Sequence, residues 1–272
     1  FYGIRSHLCV QMSPSVSVCS NRCVFCWREI GLTAGNEFPD DKVDDPKQIV
    51  DGCIEQQKKQ LVGFKGNDKC NMTKFEEAME PKHFAISLTG EPTAYPKLNE
   101  LIKEIHSRGY STFLVSNGQN PSVIENVEAP TQLYLSVDAP NSELFVKIDR
   151  PQYKDGWDKL MRSLDALKNL KDNTRTTLRI TLIKGMNMED EQGYADLITK
   201  SDALMVEVKA YMFVGSSRQR LSIDNMPRHH EVKEFAQKIA DLCGYKIIDE
   251  KKESRVVLLA KEDFEGRVMK FE

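Results

Sequence analysis

Apolar runs at strand spacing alternate with apolar stripes at helical spacing along nearly all of the 272 residues, and this limits the fold more than any other feature. Strand patterns are expected at 8–12, 83–88, 112–116, 132–137, 177–183 and 204–212. Helical patterns separate them. Asp45-Pro46 reads as an N-cap with proline at the first helical position, and Ile49, Val50, Cys53, Ile54 and Leu61 follow at helical spacing. Leu98, Leu101, Ile102 and Ile105 make the next stripe, stopped by Gly109. Further helices are expected at 142–148, 157–170, 189–198 and 230–242, the last followed by a hairpin pairing 245–248 with 255–260. The pattern predicts an α/β fold with a parallel sheet and helices outside it. Six βα units are too few to close an eight-stranded barrel. The expectation is an open, partial (β/α)6 TIM-like barrel with a C-terminal appendage and its active residues at the C-terminal ends of the strands. No break in composition divides the chain. A single domain over 1–272 is expected, with a core of about 7–215 and an extension of about 216–272. Phe1-Tyr2-Gly3-Ile4-Arg5 reads as the approach to a strand, so a segment upstream is expected as well.

A net charge of −3 provides no general attraction to nucleic acid, so any such partner needs a local basic face. No apolar run reaches the roughly 18 residues of a membrane span. The seven cysteines are odd in number and three fall within eight positions, which suits thiolates used for metal in a reducing cytoplasm better than a disulfide scaffold. A cytoplasmic monomer is expected.

The strongest local signal is Cys19-Ser20-Asn21-Arg22-Cys23-Val24-Phe25-Cys26, a C-x3-C-x2-C run on the loop after the first strand. A [4Fe–4S] cube has four irons and this loop can bind three, leaving one corner for a chelating ligand such as the amino and carboxylate groups of S-adenosylmethionine (SAM). Phe25 can shield the cluster and pack near adenine. The competing reading is structural zinc with Cys9 as a fourth thiolate. Zinc sites favour C-x2-C pairs, and the position on the first βα loop favours the cluster, giving a radical SAM site of the Cys19, Cys23 and Cys26 set.

Later strand ends carry polar motifs. Thr89-Gly90-Glu91 follows the second strand, where a glycine lets the backbone approach a ligand and a carboxylate can receive SAM's ammonium. Ser116-Asn117 ends the third strand, and Ser136 with Asp138 the fourth; both place short polar groups for ribose hydroxyls, or for ordinary turns. On the fifth strand Arg179 and Thr181 alternate with apolar neighbours and would face the barrel interior, with Arg179 matching SAM's carboxylate. Glu207, Lys209 and Tyr211 alternate in the same way on the sixth. They could face the substrate, a Glu207–Lys209 pair being the simpler account. Lys184 and Lys209 are weak catalytic candidates for imine formation, which requires a lowered pKa. Arg218, Arg220, Arg228, His229 and His230 follow the last strand at the expected barrel mouth and are the RNA-binding candidates.

The stretch Cys9-Val10-Gln11-Met12-Ser13-Pro14 through Cys26-Trp27-Arg28, with Ser87-Leu88-Thr89-Gly90-Glu91-Pro92-Thr93 and Val208-Lys209-Ala210-Tyr211-Met212, resembles the tRNA 4-demethylwyosine synthases of the wyosine and wybutosine pathway, in their archaeal single-domain form. The resemblance runs from residue 1 to the C-terminal hairpin. It implies a carbon–carbon lyase joining two carbons of pyruvate to N1-methylguanosine beside the anticodon of phenylalanine tRNA, supplied with electrons by a flavodoxin or ferredoxin. It carries Cys19, Cys23 and Cys26 over as cluster ligands and Glu91 as a SAM contact. It makes Cys9 one of three ligands to a second [4Fe–4S] cluster, the other two and a pyruvate-binding lysine being expected upstream. Two readings stay open beside it: a radical SAM enzyme with another RNA or peptide substrate, and a zinc-stapled RNA-binding protein without catalysis.

Overall fold

A computed structural model describes residues 1–39 and 43–271; within the polar stretch 31–43, residues 40–42 lie outside them. Six strands run parallel in chain order: β1 (Cys9–Met12), β2 (His83–Ile86), β3 (Ser111–Ser116), β4 (Gln132–Ser136), β5 (Arg175–Leu182) and β6 (Met205–Ala210). Two more, β7 (Lys246–Lys251) and β8 (Val256–Ala260), form a hairpin, and β8 pairs antiparallel with β6. The C-terminal extension therefore continues the barrel sheet, giving eight strands in the order β1-β2-β3-β4-β5-β6-β8-β7. The barrel does not close, as its six-unit count predicts.

Helices cover the outer face. α1 (Pro46–Val62) starts where Asp45 accepts from the backbone N–H groups of Lys47 and Gln48, the cap that Asp45-Pro46 predicts. α2 (Met72–Ala78) is short and has no counterpart in the apolar pattern. α3 (Leu98–Ser107) buries Leu98, Leu101, Ile102 and Ile105 on one stripe. Each contributes about 1.5–3 kcal/mol of apolar burial, an upper bound because unfolded chains are partly compact. α4 (Pro121–Glu125), α5 (Ser142–Ile148), α6 (Gly156–Leu170), α7 (Glu191–Ser201) and α8 (His229–Cys243) complete the layer. Among the described residues no helix is long and apolar enough to cross a membrane.

Side-chain alternation sorts the two faces of the sheet. Leu178, Ile180 and Leu182 of β5 join the core beneath the helices, with Phe84, Ile86, Leu114, Leu133, Leu135, Val206 and Val208. The inner face carries a second apolar cluster of Tyr2, Phe113, Tyr134, Met205 and Leu258. Arg179 and Thr181 point inward, as their spacing predicts. The first residues reach this inner cluster because Tyr2 and Met269 pair through their backbones and Arg267 donates to the Phe1 carbonyl.

Candidate active site

The cysteine loop leaves β1 and folds against two other segments. Val24 N–H donates to Ile148 O at 2.8 Å and Arg22 N–H to Asp149 O at 3.0 Å, so the turn after α5 supports the loop. The Arg22 guanidinium holds the Cys19 carbonyl at 2.6 Å. From the far end of the chain, Arg220 donates to the carbonyls of Val24, Cys26 and Arg28. Arg220 is thus a clasp on the cysteine loop, and its guanidinium is not free for RNA as the sequence suggested.

Gly90 explains why the second strand ends as it does. Its φ is +70°, and a Cβ there would lie 1.9 Å from the Ser15 carbonyl oxygen. The cysteine loop is what makes the close approach to this glycine, which also lines the cavity at the strand ends. It lets Glu91 N–H donate to Val18 O at 2.8 Å and Ser15 Oγ to Glu91 O at 2.7 Å.

Three thiols and the strand ends share one cavity of about 380 Å3, within the usual range for small ligands. Cys19, Cys23, Phe25, Cys26, Thr89, Gly90, Glu91, Ser116, Asn117, Ser136, Asp138, Thr181 and Lys209 all line it. Arg179 does not. Its guanidinium turns to Glu207, with Nη2 at 2.9 Å and Nε at 3.0 Å from Oε2, and lies 4.3 Å from the Tyr134 ring centroid. The suggested Glu207–Lys209 pair is replaced by this one, because the β5–β6 register sets Arg179 opposite Glu207 and Thr181 opposite Lys209. Lys184 is exposed and paired with Glu231 outside the cavity. Arg218 is exposed over Phe213, Arg228 caps α8, His229 is bound to Glu250, and His230 is exposed on the same helix. Cys9 stands at the opposite end of β1 and does not line the cavity, and burial pushes its thiol up to about 11.

Glu91 is the electrostatic centre. Its Oε1 accepts from Thr93 N–H, Thr93 Oγ and Ser116 Oγ, and Oε2 from Asn117 N–H. Oε1 is saturated and Oε2 keeps capacity for one more donor, which an ammonium can supply. Burial nonetheless raises its pKa against these donors. Ser116 and Asn117 therefore serve Glu91 first. Asn117 also donates to Ser20 Oγ at 3.1 Å, and its Nδ2 lies 3.7 Å from Cys19 Sγ. Asp138 accepts from Thr181 N–H at 2.7 Å, and burial pushes it up to about 6.

Four cavity residues were given no role from the sequence. Asp149 places Oδ1 3.5 Å from Cys23 Sγ, and its other oxygen is buried without a partner. Asn21 is buried with both amide atoms unpartnered. Trp27 and Arg28 follow the third cysteine and line the mouth. Only the position of Asn21, Trp27 and Arg28 within or beside the cysteine run could have drawn attention to them; Asp149 lies 123 residues beyond Cys26 in a turn of ordinary composition.

The donor set fits an iron–sulfur cube. Cys19, Cys23 and Cys26 come from one loop and all line the cavity, and in a cube each thiolate binds a different corner. Burial pushes Cys19 up to about 11, with Glu91 adding to the rise, and also raises Cys23 well above the ordinary thiol range, with Asp149 adding. A cluster held by these thiols would have to displace their protons.

A partial barrel with three thiols on its first strand-to-helix loop, opening into a cavity that strand-end polar groups line, defines the radical SAM class. The Radical SAM superfamily model matches residues 13–198, and a model described as wyosine base formation matches residues 200–261. The S-adenosyl-L-methionine-dependent tRNA 4-demethylwyosine synthase of Pyrococcus abyssi is 48% identical over 268 residues, which is 97% of this chain and 78% of that protein. A solved structure of TYW1 with a lysine–pyruvate adduct bound superposes with a TM-score of 0.85 at 39% identity, covering 96% of this chain and 82% of that one. A crystal structure of archaeal TYW1 gives 0.77 at 35% identity, covering 96% and 81%. The chain belongs to the tRNA 4-demethylwyosine synthase family of radical SAM enzymes. Membership brings SAM and a [4Fe–4S] cluster as cofactors and tRNA modification as the task.

Proposed function

We propose that this chain joins N1-methylguanosine of phenylalanine tRNA to two carbons of pyruvate, forming 4-demethylwyosine. The observation that carries it is the single cavity in which Cys19, Cys23 and Cys26 meet Glu91, Asp138 and Lys209. Its relatives support the substrate: one is named for the 4-demethylwyosine product, and another has a lysine–pyruvate adduct bound. When bound, the cluster and SAM supply a 5′-deoxyadenosyl radical for hydrogen abstraction from the N1-methyl group.

The protein's own residues bind and orient. Cys19, Cys23 and Cys26 would hold three irons, and Arg220 and Arg22 fix the loop that carries them. Glu91 Oε2 would take SAM's ammonium, its direction set by Ser116, Asn117 and Thr93. Phe25 would cover the adenine side, while Thr89, Gly90, Ser136, Asp138 and Thr181 shape the pocket around the ligand. Cys9 would supply one thiolate of a second cluster, away from the first cavity at the far end of β1. A flavodoxin or ferredoxin in the cytoplasm would deliver electrons, and the protein would act as a monomer in a single domain. Arg218, Arg228 and His230 remain the RNA contacts of the proposal, now without Arg220 or the Glu250-bound His229.

The test is product analysis by mass spectrometry after anaerobic incubation of the iron- and sulfide-reconstituted protein with SAM, pyruvate, reductant and methylated tRNA. A tricyclic base two pyruvate carbons heavier is expected. SAM cleavage without any change in the tRNA would point to another substrate, and one bound zinc without sulfide would end the catalytic reading. Cys23→Ala should abolish SAM cleavage, and residual turnover would contradict the assignment.

A further inference from the structure

We infer that Trp27 is the stacking platform on which the target purine lies once it has left the anticodon stack; this rests on the proposed tRNA reaction. Three aromatic side chains line the cavity, and they differ in exposure. Tyr211 is buried at 2%, Phe25 is half-buried within an apolar cluster, and Trp27 is 49% exposed at the mouth.

The backbone around this indole is unusually well held for so exposed a side chain. Its own carbonyl accepts from Ser216 N–H at 2.8 Å, while the carbonyls of Cys26 and Arg28 on either side both accept from Arg220. Gly215 allows that contact, since a Cβ there would sit 2.2 Å from the Trp27 oxygen at a φ of +56°. The chain therefore fixes Trp27 one residue from the third cysteine and leaves about half of it exposed at the cavity. Apolar area left open at a cavity mouth favours stability less than burial would, and a ligand that covers it accounts for its placement.

The chemistry of the substrate selects the ligand class. The reacting N1-methyl group lies on the base-pairing edge of a guanine, and the thiols sit inside a cavity. Enzymes acting on a base atom within a cavity take single-stranded or extruded nucleotides, and reaching thiols inside this one requires the base to leave its stacked neighbours. An extruded base needs an aromatic face to replace the neighbours it leaves. Exposed apolar side chains of Leu88, Met212 and Val214 flank the same mouth, and none of them offers a ring. Charge is complementary beside the platform. Arg28 lines the cavity with its Nη1 on Val16 O and Thr89 Oγ1, and Arg218 stands exposed on the same short turn as Gly215 with its Nε on Phe213 O, so both bring positive charge that suits a phosphate backbone.

The experiment is equilibrium binding to the cluster-loaded enzyme with SAM and without reductant. The probes are two anticodon stem-loop RNAs, one with N1-methylguanosine at the target position and one abasic there. The unsubstituted enzyme should prefer the methylated RNA by about tenfold, a typical stacking contribution for one base. Trp27→Ala should reduce the preference to about twofold or less while changing affinity for the abasic RNA little, and Trp27→Phe should keep most of it. An unchanged preference in Trp27→Ala overturns the inference, as does an equal loss on both RNAs, which would mark a role in the fold alone. If the unsubstituted enzyme makes product yet shows no preference, the platform falls and the functional reading stands. If it makes no product from methylated tRNA, the reading itself fails and takes the platform with it.

Discussion

Arg179 and Lys209 sit on neighbouring strands, face the same barrel interior and end in opposite states. Arg179 is paired with Glu207, stacked over Tyr134, and linked through Glu207 to the Tyr2 hydroxyl, which donates at 2.8 Å. One register step nearer the cysteine loop, Lys209 lines the cavity, and the pull of Glu207 and Asp138 on its ammonium does not offset its burial. Burial lowers its pKa, with Arg179 adding to the effect. The same contrast separates the two levels as a whole. The lower one is apolar and internally paired, whereas the upper one holds Asn21 and Asp149 with buried polar atoms lacking partners. A buried polar group without a partner costs stability, and such groups persist where something other than the fold satisfies them. The lower level is spent on holding the barrel together, while the upper keeps polar groups that the fold leaves unpaired.

Substitutions can break or sharpen that contrast. The largest effect is expected from Glu207→Gln, which strands Arg179. A loss of about 3 kcal/mol is expected in the urea unfolding midpoint at constant slope, the low end for a broken buried pair because Arg179 keeps 26% of its side-chain exposure. A loss below about 1 kcal/mol would mean that the lower level is not held by this pair. Tyr2→Phe removes only the hydroxyl from Glu207 and should cost about 1 kcal/mol by the same measurement.

Lys209→Met should do the reverse, leaving stability unchanged or raising it by up to about 1 kcal/mol, since an unpaired charge leaves a partly buried site. The sign of its pH dependence follows from the lowered pKa. The unfolded chain binds this proton more tightly than the native one, so the native lysine's penalty shrinks as pH rises. The stability gap between variant and parent should accordingly narrow from pH 7 towards pH 10. A strong destabilisation by Lys209→Met would show that the upper level also carries the fold.

The smallest effect belongs to the barrel's other end, where Asp202 bridges Lys171 and Lys261. Hydrogen bonds from Lys171 and then Lys261 hold its carboxyl down to about 2. Its contribution is complete above about pH 4 and is lost as pH falls towards 2. Asp202→Asn should cost a few tenths of a kcal/mol at pH 7 and nothing at pH 2, because the lysines are largely solvated. The asparagine also tolerates the left-handed backbone at this position, where φ is 45°.

Much of this molecule was legible in the chain before any coordinates. Period-two and helical spacing located all six parallel strands, most of the helices and the C-terminal hairpin, because each pattern lives within a few residues of itself. The cysteine run, the Gly-Glu turn and the inward pair Arg179 and Thr181 were readable for the same reason. The short helices α2 and α4 were missed; at seven and five residues they are too short for an apolar stripe to repeat.

The sequence alone therefore determined the α/β class, the open barrel and the placing of three thiols on its first strand-to-helix loop. Tertiary structure decided which polar groups are spent on the fold and which are left for ligands. Arg220 reaches back across 196 residues to the cysteine loop, Glu207 takes Arg179 instead of Lys209, and Asp149 meets Cys23 across 126. Pairings of that kind depend on how the strands register and where the barrel stops, and side-chain spacing along one segment carries no record of either.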